Sequence, residues 1–169
     1  QTVSSNETLK EFGKDFVGRW VGESTCPNDM PSIGKKGEKV TGQSRVRWIL
    51  GRKAVECSWR VGNLSAKWVA VWDAADKEIG VYGVTSEGEI SVSRMSKTGE
   101  QWIWEASGVS GDGKQISAIE KMTISDNGNM HTYHFTNRME DGKKLPDFKA
   151  TWKRVSVSAI PRKALKEME

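Results

Sequence analysis

From residue 17 onward, apolar and polar positions alternate in segments rich in Val, Ile, Trp and Thr, divided by short clusters of Gly, Asp, Asn and Lys. Alternation at period two turns one face of a strand toward a core and the other toward water, so this rhythm predicts an all-β domain. Ten strands are expected, over 17–25, 38–50, 53–61, 64–72, 78–86, 89–96, 100–108, 115–125, 129–138 and 147–155. Between them lie turn signals such as Gly51-Arg52, Gly62-Asn63, Thr98-Gly99, Asn127-Gly128 and Asp141-Gly142, most too short for a crossover. Sequential hairpins make a meander, and a meander this long avoids exposed edges most simply by closing on itself. The expected fold is therefore an up-and-down antiparallel barrel of about 8–10 strands, with a two-sheet sandwich as the alternative.

The start of the chain follows another period. Asn6 is placed to cap a helix in which Leu9, Phe12 and Phe16 recur at spacings of three and four, forming an apolar stripe. That helix is expected to flank or plug one end of the barrel. The organisation predicted is a lead-in and helix over 1–16, a barrel over 17–155 and a tail over 156–169, with a short helix expected over 164–168 behind Pro161.

Strand parity then sorts the side chains. Leu64, Ala66, Trp68, Ala70 and Trp72 share one face, as do Trp102, Trp104 and Ala106, while Ser65, Lys67, Gln101 and Glu105 oppose them. The tryptophan faces are therefore expected to point inward. On the same reasoning Val55, Cys57, Trp59 and Val61 face inward, and Glu120 interrupts the apolar run Ile116, Ala118, Met122, Ile124. A carboxylate facing an apolar interior is costly unless paired or protonated, and such groups recur where a ligand or a reaction needs one. Arg94, taken to share an inward face with Ile90 and Val92, is the expected partner of Glu120. His131 shares a face with Tyr133 and is expected inside, whereas His134, three residues on, faces the other way, so the two do not chelate one metal ion.

Composition narrows the function. The chain has 169 residues, eight of them tryptophan, and a net charge of +4 from 26 basic and 22 acidic side chains. These charges interleave, which argues against nucleic acid as a partner. No stretch approaches the ~20 apolar residues of a membrane-spanning helix. No serine stands in Gly-x-Ser-x-Gly, and Gly108 to Gly113 lacks the Lys-Ser/Thr end of a phosphate loop. A chain opening on Gln1 with a polar lead-in leads to the expectation of a removed signal peptide and a periplasmic or secreted location. Cys26 and Cys57 are either bridged, closing a loop of about 30 residues, or buried as free thiols.

The segment Phe16-Val17-Gly18-Arg19-Trp20 contains Gly-x-Trp on the first strand, and Trp152-Lys153-Arg154 stands on the last. This pattern resembles lipocalins and the wider calycin group, and implies that Trp20 packs at the closed end of the barrel against Arg154, with Gly18 beside them. A longer series consists of Trp48-Ile49-Leu50-Gly51, Trp72-Asp73, Trp102-Ile103-Trp104, Asn137-Arg138, Asp141-Gly142 and Leu145-Pro146-Asp147. It is similar to a bacterial family of secreted lipocalin-like domains of unknown function. Phe-Val-Gly-x-Trp also resembles nitrobindin-like haem proteins, which implies His131 as an iron ligand. However, Ser24-Thr25-Cys26-Pro27-Asn28 stands where those proteins carry Gly-Thr-Tyr-Pro-Thr.

The leading expectation is a protein that binds a small, mostly apolar ligand without a cofactor. The ligand would be lined by Trp59, Trp68, Trp72, Arg94, Trp102, Trp104, Glu120, Met122, His131 and Tyr133. Alternatives are an isomerase- or cyclase-like enzyme using Glu120 as acid or base, and haem binding through His131. A barrel interior filled by its tryptophans also stays open at this level.

Overall fold

The computed structural model describes residues 7–156, and its eleven strands form one sheet. After helix α1 (Glu7–Phe16) come β1 (Gly18–Thr25), β2 (Lys39–Ile49), β3 (Ala54–Val61), β4 (Leu64–Asp73), β5 (Glu78–Thr85) and β6 (Ile90–Thr98). They are followed by β7 (Gln101–Val109), β8 (Gln115–Ser125), β9 (Met130–Glu140), the two-residue β10 (Lys143–Lys144) and β11 (Phe148–Arg154). Consecutive strands from β1 to β9 pair antiparallel, except that β10 lies on the end of β9 and β11 inserts between β9 and β1. Because β8 pairs with β9, the ribbon closes into a ten-strand barrel, and the sandwich is excluded. The expected strands agree with these to within one or two residues. The capping position Asn6 and the expected helix over 164–168 lie outside the described residues.

One end of the barrel is plugged. Leu9, Phe12 and Phe16 of α1 are at most 3% exposed and pack on Trp102, Trp104 and Trp20, with Phe12 stacked on Phe16 at 4.3 Å. The helix approaches so closely at Gly13 that a Cβ there would run into the Trp48 indole. Its last turn is fixed by polar contacts. The Trp20 indole donates to Phe16 O at 2.9 Å, and Arg154 donates to Asp15 O at 3.1 Å and to Val17 O at 2.5 Å. Asp15 Oδ2 accepts from Trp102 Nε1 at 2.8 Å and from Lys97 Nζ at 3.2 Å. The Arg154 guanidinium lies over the Trp20 ring at 4.3 Å, the closed-end arrangement that the lipocalin pattern implied.

The other end is open in part. Residues 26–38, between β1 and β2, lean along it. Asn63 N donates to Ser32 O at 2.7 Å, and the Ser32 hydroxyl donates to Glu87, tying this strap to the β3–β4 and β5–β6 turns. Gly62, at φ +57°, lies under the strap where a Cβ would clash with Ser32 O.

Candidate functional site

The barrel interior divides into two halves. In the half next to α1, Trp102, Ile79, Met95, Met122 and Val55 are 0–1% exposed, with Trp72 packed against them. Trp102, Met122 and His131, three of the residues expected to line a site, are core there, while Trp72 packs against that core and stays partly exposed.

His131 illustrates the difference. It points inward, but its ring lies 3.9 Å from Trp20 and 5.2 Å from Phe16, and it is 1% exposed. Burial first, and then the Arg154 charge, push its pKa down to about 4, so the imidazole is neutral. Its Nε2 finds no hydrogen-bond partner among the described residues. A histidine held between these aromatic side chains under the plug is not offered to a haem entering from the mouth.

Toward the open end the interior changes character. Trp59, Trp68, Tyr133, Trp152 and Phe135 all point inward, yet each remains partly exposed. Trp152 lies flat across β1 and β2, because Gly22 and Gly42 oppose it and any Cβ on either would strike the ring. Trp104, only 6% exposed, forms the boundary between the halves, 5.9 Å from Tyr133 and 6.5 Å from Trp68. Against these rings stands a wall of small residues, Gly83, Ser91, Ser93, Ala106, Gly108 and Ala118, which pair side by side across β5 to β8. Ser44 and Cys57 add polar atoms on β2 and β3.

Glu120 sits where the sequence placed it. It faces inward opposite Trp104 on β7 and Phe135 on β9, and no hydrogen bond is formed by its carboxyl among the described residues. Burial, then the nearby Glu89 charge, push its pKa up to about 7, while Arg138 pulls it the other way. Tyr133 is likewise raised, by burial first and then by Cys57 and Glu120.

Arg138, not Arg94, is therefore the basic group on the Glu120 side. Between Ser117 and Ile119 the β8–β9 register slips, with Asn137 at φ 50°, and the extra residue changes the parity of β9 beyond Phe135. Arg138 thereby joins the inward set, with its guanidinium 4.8 Å over Phe148 and a bond to Pro146 O at 2.7 Å. Asn137 was the one sequence signal of the bulge, since Asn tolerates positive φ. Glu89 was missed because β6 was read with the wrong face inward.

The correction on β6 is that Arg94 lies outside. Ser93 and Met95 are buried, whereas Arg94 is exposed and pairs with Asp76 at 2.7 Å and with Glu78. Ile90 and Val92, expected inside beside it, are 62% and 45% exposed. Apolar character picked the wrong face because the interior here takes small side chains opposite the bulky rings.

The cysteines are also resolved. Both are buried free thiols. Cys26 bonds through its backbone to Glu38 at one edge of β2, while Cys57 on β3 is opposite Val46 at the other edge, eight residues further along the strand. At ~3.3 Å per residue that is roughly 26 Å, far beyond disulfide reach. Burial pushes the Cys57 thiol up, which leaves it unreactive. Among the described residues no group of three or more His, Cys, Asp or Glu is arranged to hold a metal ion, and no helix is long and apolar enough to cross a membrane.

No protein-family model and no curated protein matches this chain. Solved structures do. The chain is similar to Rv2717c from M. tuberculosis, with a TM-score of 0.63 at 16% identity over 89% of this chain and 98% of that one. It is also similar to the S-type phycobiliprotein lyase CPES from Guillardia theta, with a TM-score of 0.57 at 12% identity over 91% and 96% of the two chains. At these identities the likeness concerns the fold, which is a lipocalin-like antiparallel barrel.

Proposed function

We propose that the open half of the barrel binds a small, mostly apolar molecule, with Glu120 fixing its polar end. The observation that carries this reading is the contrast between the two halves. Trp102, Met122, Ile79 and Val55 at the plugged end are sealed, while Trp59, Trp68, Tyr133 and Trp152 point into the same barrel and remain partly accessible. Inward aromatics that are not packed to completion leave apolar surface in water, and a ligand stacking on them removes it. The small-residue wall opposite supplies the width.

The probe for this reading is 1-anilinonaphthalene-8-sulfonate, followed by its own emission and by quenching of the tryptophans. Trp59→Ala should weaken its binding about tenfold in a barrel that circular dichroism shows to be folded, and Leu50→Glu on the outer surface should leave it unchanged. If binding follows Leu50→Glu and ignores Trp59→Ala, the dye sits outside and the interior reading fails. Native mass spectrometry of protein purified from cells then identifies any molecule carried inside.

A second reading, an enzyme acting on a hydrophobic substrate, is favoured by one observation. A carboxyl titrating at about 7 beside Trp104 and near Tyr133 is suited to give and take a proton at neutral pH. A barrel of similar fold bears the name of a lyase, so the architecture accommodates chemistry. Conversion of a co-purified molecule by the wild type but not by Glu120→Gln would distinguish catalysis from binding alone.

A further inference from the structure

The inversion on β5 and β6 has a counterpart outside the barrel. Gly83, Ser91 and Ser93 point inward, while Tyr82, Val84, Ile90 and Val92 point into solvent at 51%, 54%, 62% and 45% exposure, joined by Val109 at 38%. Register makes these one surface: Tyr82 stands opposite Val92, Val84 opposite Ile90, and Ile90 opposite Val109. The Tyr82 ring leans over Gly80, which has no side chain to hold it off. A shallow groove of about 240 Å³ runs beside the Ile90–Val92 ridge, walled by Lys67, Val69, Tyr82 and Val84.

We infer that this face is the interface of a homodimer, and that its occupant is a second copy of the chain. Its area and its charge both single out a second copy. The five exposed side chains present on the order of 500 Å², at the upper part of the range for the largest apolar patch of a monomer. That is roughly the apolar share of the ~800 Å² per partner that a standard homodimer interface buries.

Lys67 flanks the patch on β4 and Glu105 flanks it on β7, and neither has an ion pair among the described residues, Arg94 being drawn away to Asp76 and Glu78. Lys67 lies in the cross-strand row of Val84, Ile90 and Val109, and Glu105 in the row of Arg94 and Gly80. The pair Tyr82–Val92 occupies the row between, so it sits midway from Lys67 to Glu105. A two-fold axis lying in the interface through that midpoint, perpendicular to the line from Lys67 to Glu105, places Lys67 of each copy over Glu105 of the other. One patch thus carries both halves of its own complement, as an isologous contact requires.

Sedimentation velocity of the full chain over a range of concentrations tests this. The expected result is a dimer that dissociates on dilution and becomes monomeric in Ile90→Glu. Lys67→Glu and Glu105→Lys should each weaken the dimer about tenfold at low salt, since each reversal acts twice by symmetry. The double variant Lys67→Glu/Glu105→Lys should restore it to within about threefold. A chain that is monomeric at all concentrations overturns the inference, as does a dimer indifferent to Ile90→Glu. Should Ile90→Glu fail to fold, the two exposed charge variants decide alone, and a double variant no tighter than the single ones overturns the proposed geometry. A different protein captured on this face in place of a second copy would also overturn it.

Discussion

Replacing Glu120 by Gln keeps the shape of the side chain and removes its titration. In the fold the carboxyl stands between Trp104 and Phe135 and is pushed up to about 7 from an ordinary 4.5, by burial first and by Glu89 second. An acid whose pKa is raised on folding holds its proton more tightly folded than unfolded. It therefore costs nothing well below pH 4.5, destabilises progressively as pH rises from about 4.5 to about 7, and adds no further cost above that. The rise from 4.5 to about 7 corresponds to about 3 kcal/mol, which water reaching the partly exposed carboxyl reduces to about 2 kcal/mol. His131 works in the opposite sense. Its pKa is lowered from 6.5 to about 4, so its contribution rises as pH rises through that window, and a wild-type profile alone would mix the two. The difference between variant and wild type separates them. Urea unfolding followed by tryptophan fluorescence should show Glu120→Gln gaining on wild type by about 2 kcal/mol between pH 4.5 and pH 8. A difference that is flat across this range, or that shrinks, would refute the placement of an unpaired carboxyl in the barrel.

Three further outcomes follow from the same geometry. Trp102→Ala removes a fully buried indole and the donor to Asp15, and should cost about 4 kcal/mol of unfolding free energy by denaturant titration. Arg154→Lys should lose about 2 kcal/mol despite keeping the charge, because a point ammonium does not replace the fork that bonds Asp15 O and Val17 O while lying over Trp20; thermal melts at matched pH measure it. Both thiols should resist Ellman's reagent in the native protein and both should react after denaturation without reductant, whereas fewer than two thiols in purified denatured protein would show a bridge that the register forbids.

Much of this molecule was legible in the chain. The strands were bounded by turn chemistry and sorted by period-two alternation, both of which act over a few residues, and the helix stripe Leu9, Phe12, Phe16 was readable from its spacing. Parity also turned Trp68, Trp104 and Glu120 inward correctly, because on those strands the two faces differ sharply in polarity. Alternation gives two faces but not which one is inside, and on β6 the apolar face was outside; only the curvature of the closed sheet, which demanded small residues opposite the large rings, decided it. The register of β2 against its neighbours, a long-range quantity, set Cys26 and Cys57 apart. A single bulge at Asn137 brought Arg138 to the interior, and no local pattern predicts the side to which a bulge turns its strand. Alternation along a strand determined which residues travel together, while barrel closure determined which of them meet.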